Sequence, residues 1–184
     1  CFMYGINDPK IKIHGSTIFK WYSEKNQNNY IKKRLERMLH MKKFLNISII
    51  FTIIGLALGV YYREATKLTN FFDTVGAKTQ LSVGHTHTLI LGVILPLIFG
   101  GLLHMKNKGF DDVKKSMITY LIGISLTILM IVFRGSLDIF VDDLSKGLDA
   151  LVSGLSGLAH IVLVVGFLWT LFDLRKIFSD NNHS

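Results

Sequence analysis

Between Leu81 and His104 the chain reads LSVGHTHTLILGVILPLIFGGLLH, without a single Lys, Arg, Asp or Glu. As an α-helix at ~1.5 Å per residue, this run covers the ~30 Å hydrocarbon core of a bilayer. It also places two imidazoles, His85 and His87, near its start. An ionisable side chain inside a membrane helix is costly, so the pair marks a candidate functional site.

Three more apolar runs accompany it, and the expected spans are 44–62, 81–104, 116–133 and 148–172. The composition agrees: 49% hydrophobic residues, 18% charged and a mean hydropathy of +0.39 fall outside the soluble norm. Residues 41–178 then form a four-helix transmembrane domain, with a basic polar extension before it (1–40) and a polar, disordered tail after it (179–184). Within the extension, Tyr30–Leu39 reads as a short basic amphipathic helix. Met41-Lys42-Lys43 reads as a natural start. The same residues with the first run resemble a signal peptide, but Gly55 and Gly59 form a GxxxG face suited to helix packing, which favours a retained helix. Pro96 is expected to kink the second span and widen a cavity on one side.

The net charge of +8 is uneven, with eight Lys/Arg against three Asp/Glu in residues 1–40. The 105–115 loop and the C-terminal end are also basic, whereas the 63–80 and 134–147 loops share five Lys/Arg. The positive-inside rule puts both termini in the cytoplasm. The expected fold is all-α, an integral membrane up-down four-helix bundle in lipid, multi-pass in the inner (cytoplasmic) membrane. Basic flanks account for the charge without nucleic acid. Cys1 is the sole cysteine, which excludes a disulfide framework and a Cys-based metal site. No catalytic motif is present.

The polar outliers gather at one end. Tyr62, Arg63 and Glu64 close the first span, His85 and His87 open the second, and Arg134 and Asp138 follow the third. His160 sits nearer the middle of the fourth, while His104 beside Lys106 is interfacial at the opposite end. His85 and His87 differ by about 200° on a helix, so they cannot chelate one ion together. A helix start disfavours an added proton, leaving both rings neutral and able to bind metal. Gly84, Thr88 and Gly92 form a small-residue stripe closer to His85. It either faces the site or marks a neighbouring helix and leaves His87 to a cavity. Ser153, Gly157 and His160 share one face, expected to point inward.

Histidines on two inward helices with glycine around them suit haem b or a transition metal. Arg63 and Arg134 would then pair with propionates. Counted from the span starts, His87 lies roughly 9 Å deep and His160 roughly 18 Å, an awkward mismatch for one iron. The expected role is electron transfer or redox sensing beside a respiratory or other membrane partner, with a homo-oligomer compatible. The alternatives are a small transporter with His160 as proton relay, or a structural or assembly protein whose histidines hydrogen-bond between helices.

Tyr62-Arg63-Glu64 with Lys67, His85-Thr86-His87 with Leu91-Gly92, Arg134-Gly135, and Ser153-Gly154 with Leu158-Ala159-His160 resemble a family of small four-helix bacterial inner-membrane proteins carrying a domain-of-unknown-function label. The resemblance covers about Met41 to Phe178 and implies membrane location. The His-Thr-His helix is also similar to one in subunit I of haem-copper oxidases, which implies haem or metal ligation by His85 or His87 with His160. The chain is too short for that subunit and lacks the histidines of a binuclear centre.

Overall fold

A bilayer strips water from the backbone, so each N–H and C=O within it must be paired inside the protein. In the computed structural model this demand is met by α1 (Pro9–Leu68), α2 (Leu81–Met105), α3 (Lys114–Phe140) and α4 (Lys146–Ser179). The structure describes residues 9–71, 79–141 and 144–179. Most of the polar tail and part of the connection before α2 therefore lie outside the described residues. Among the described residues there are no strands, and four helical segments are long and apolar enough to cross a membrane, α1 through Met38–Leu68.

Two units divide the chain, Cys1–Leu39 and His40–Ser184. In the first, Trp21, Tyr30, Ile31 and Leu35 are exposed, and Lys25 stacks over the Trp21 ring at 4.7 Å. The expected amphipathic helix at Tyr30–Leu39 is not a separate element but part of α1.

In the second unit, sequential helices meet where glycine lets them approach, as expected where dispersion rather than water drives helix association. Gly55 of α1 meets Thr88 and Leu89 of α2, while Phe51 and Phe44 fill the space left by Gly92 and Gly100. Gly135 of α3 admits the Leu81 backbone, and Gly84 of α2 meets Ile131. Gly123 of α3 admits the Leu163 backbone of α4, and Gly166 admits that of Tyr120. A Cβ at Gly135 would stand 2.6 Å from the Leu81 nitrogen, too close without moving a helix. Phe99, Tyr120 and Phe167 close the core between α2, α3 and α4, with ring centroids 5.9–6.1 Å apart.

Before Pro96, where a kink is expected, the helix carries a π turn over Ile90–Ile94. Proline has no N–H and its ring crowds the carbonyl four residues back, so widening the preceding turn relieves the clash. The widening leaves a debt at Leu91. The Leu95 N–H donates to the Ile90 carbonyl, and the next nitrogen along is Pro96. The Leu91 carbonyl thus has no partner within α2, and the Tyr120 hydroxyl donates to it at 2.8 Å. Ser48 of α1 also donates to the Val93 carbonyl in the same turn at 3.3 Å. At Leu91 a neighbouring helix repairs what proline breaks. At its far end α2 stops at Asn107, which adopts φ 55° while the Lys108 N–H closes on the Leu103 carbonyl at 2.9 Å.

Polar contacts tie both rims. At the rim where α2 begins, Arg134 bridges to Asp138 on its own helix and to Asp149 of α4. Asp138 also accepts from the Thr79 hydroxyl and the Gln80 N–H, both at 3.4 Å. At the other rim, Lys43 pairs with Asp111 at 2.9 Å, and Ser116 donates to Asp173 at 2.6 Å.

Candidate functional site

His85 and His87 occupy opposite flanks of α2. His85 points toward α1, where its Cβ lies 3.8 Å from the position a Cβ would take at Gly59. Its Nδ1 is buried without a hydrogen-bond partner and its Nε2 is 3.3 Å from the Thr86 hydroxyl. His87 lies on the flank away from α1, with Nδ1 donating to the Val83 carbonyl at 3.0 Å. The Gly84, Thr88 and Gly92 stripe is buried against α1 and α3. Of its two expected meanings, contact with neighbouring helices is the one the structure shows.

On α4 the expected inward face is not met. The buried stripe is Val152, Ala159, Leu163, Gly166, Thr170 and Leu174, whereas Ser153, Gly157 and His160 are exposed. Nothing stands within 4 Å of a Cβ placed at Gly154 or Gly157, so no neighbouring helix uses these glycines. His160 lies at the edge of the buried stripe, seven residues and about 20° from Phe167, and Phe167 touches Phe99 of α2. It therefore sits on the α2-facing edge of α4. Its Nδ1 donates to the Ser156 carbonyl at 2.8 Å.

The glycine contacts set the depth of each residue. Leu81 lies against Gly135 and Gly84 against Ile131; one turn further, Thr88 comes level with Thr127. Leu163 lies against Gly123; one turn back, Ala159 also comes level with Thr127. His87 is one residue above this level and His160 one below. Their depths differ by roughly 3 Å at ~1.5 Å per residue, much less than the mismatch counted from the span starts.

The expected arginine partners are placed differently. Arg134 is part-buried and already answered by Asp138 and Asp149, so it serves the rim. Arg63 is 77% exposed and 3.7 Å from Glu64. Tyr62 is half-buried beside the Ala65–Phe71–Leu81–Ile139 cluster. His104 is exposed at the other rim, as expected for an interfacial residue. No group of three or more His, Cys, Asp or Glu that could hold a metal ion occurs among the described residues. A groove of about 340 Å³ on α3, lined by Ile118, Leu121, Ile122, Ser125, Leu126 and Leu129, is apolar apart from Ser125 and contains no histidine.

Sequence reasoning passed over Thr127. It is 1% exposed and its hydroxyl has no hydrogen-bond partner among the described residues. At about 100° per residue it projects between Gly123, which faces α4, and Ile131, which faces α2. No pattern in the sequence separates it from the other threonines of the spans.

These features define an all-α integral membrane protein of four helices, glycine-packed, with His85, His87 and His160 toward one half of the bundle. Residues 41–177 match the family model described as protein of unknown function (DUF2871). The match covers well over half of the chain, which belongs to that family. No curated protein and no solved structure matches it.

Proposed function

We propose that the chain holds a haem-type cofactor, or failing that a transition-metal centre, between α2 and α4 through the Nε2 atoms of His87 and His160. The observation that carries this reading is a contact both rings share. In each, Nδ1 faces a backbone carbonyl four residues back. A carbonyl only accepts, so Nδ1 bears the proton and the neutral ring keeps its lone pair on Nε2. Metal-ligating histidines are oriented in this way, through the nitrogen that does not bind the metal.

Two imidazoles are few for an ion held by protein side chains alone, but a haem brings four nitrogens of its own and would need only one or two more from the protein. The near-equal depth of the two histidines supports the same choice. His85, turned to α1, is left out of the ligand set. A bound haem would supply reversible one-electron chemistry, suited to electron transfer or redox sensing beside a membrane partner. The distribution of Lys and Arg supports placing this half of the bundle on the outer side of the cytoplasmic membrane.

A proton-relay role has less support. Below His160 the inward hydroxyl of α4, Thr170, donates to the Gly166 carbonyl at 2.9 Å. Phe99, Tyr120 and Phe167 fill the core beside it.

The test is the optical spectrum and iron content of protein purified in mild detergent from its own membrane, followed by hemin titration. A Soret band with stoichiometric iron is expected. Protein that shows neither Soret absorbance nor bound metal after titration would refute the reading.

A further inference from the structure

Buried threonines in this bundle have a consistent habit. Thr66, Thr88 and Thr170 donate to the carbonyl four residues back at 2.7–2.9 Å, and Thr79 donates to Gly135 at 3.0 Å. Thr127 is as deeply buried and has the Gly123 carbonyl four residues back, yet its hydroxyl makes no hydrogen bond. An unpaired hydroxyl in an apolar interior is costly and needs an explanation. Its place supplies one. Thr127 projects where α2, α3 and α4 meet, level with Thr88 and Ala159, with His87 and His160 one residue to either side of that level.

We propose that the Thr127 hydroxyl is a third polar contact of the His87–His160 site, donating to an oxygen acceptor on the bound molecule. That acceptor is a carboxylate, the oxygen-bearing group that hemin carries. The inference rests on the ligand-binding reading above and adds a residue from α3, so that three helices rather than two build the site. It explains why the hydroxyl is left unspent in the protein itself, where the other buried threonines of the bundle spend theirs on the backbone.

The experiment compares wild type, Thr127→Val and Thr127→Ser in detergent, by hemin titration at the Soret band and by thermal unfolding without hemin. Valine keeps the shape and removes the hydroxyl. With no internal bond to lose, the valine protein is expected to be at least as stable as wild type without hemin, and to bind hemin about tenfold more weakly. Serine should restore most of the affinity. Equal affinity of valine and wild type would overturn the inference and leave the proposed function standing. A valine protein less stable without hemin would place the hydroxyl in the service of the fold and overturn it too. Wild type that binds no hemin would overturn both.

Discussion

Replacing Tyr120 with Phe removes one oxygen atom and tests the logic of the π turn. Tyr120 is fully buried, and its hydroxyl donates to the Leu91 carbonyl at 2.8 Å. That carbonyl has lost both helical partners: Leu95 N–H is taken by Ile90, and Pro96 has none to give. The substitution therefore strands an acceptor in a water-free interior, at a cost of about 1–3 kcal/mol. Ring packing against Phe99 and Phe167 is kept, so the loss reports on the hydrogen bond alone. The assay is unfolding by SDS titration in mixed micelles, followed by helical circular dichroism. A double-mutant cycle sharpens it. Pro96→Ala supplies an N–H within the turn, so Tyr120→Phe should cost at least about 1 kcal/mol less in that background. Equal cost in both backgrounds, or no cost in either, would refute the assignment of Tyr120 as the partner that proline makes necessary.

Gly123→Ala pushes a methyl into the Leu163 backbone and should destabilise α3–α4 packing by about 1–3 kcal/mol, whereas Gly154→Ala or Gly157→Ala meets open space and should be neutral or slightly stabilising in the same unfolding assay. Arg134→Gln leaves Asp138 and Asp149 without their cation at the rim; it should lower the SDS midpoint more than Arg63→Gln, whose side chain is 77% exposed. The difference should appear as earlier trypsin cleavage near the start of α4.

The four spans were legible because apolar length is a one-dimensional property, and α2 matches its run almost residue for residue. The inward faces were not. A membrane helix is apolar all round, so the contrast that orients a soluble helix is weak here, and small residues are the remaining guide. That worked for Gly55, where α2 lies on the glycine, and failed for Gly157, where nothing does. The inward stripe of α4 is marked instead by Ala159 and Gly166 among bulky residues, with His160 at its edge. Pro96 announced a kink, but not that Tyr120, on another helix, would repair it. Depths counted from the ends of apolar runs carry the uncertainty of those ends, a few residues on each helix. The glycine contacts that set the true register join different helices and cannot be seen along one. Thr127 stayed hidden because an unpaired hydroxyl is defined only by what surrounds it.

Hemin titration of His85→Ala, His87→Ala and His160→Ala beside wild type separates the two flanks of α2 most directly. His85 and His87 are two residues apart on the same helix, so only the side each faces distinguishes them. If the site lies between α2 and α4, His85→Ala keeps the wild-type Soret band and affinity, while His87→Ala and His160→Ala each lose or strongly weaken both. Loss of the band in His85→Ala with His87→Ala unchanged would place the ligand against α1 and contradict the site described here.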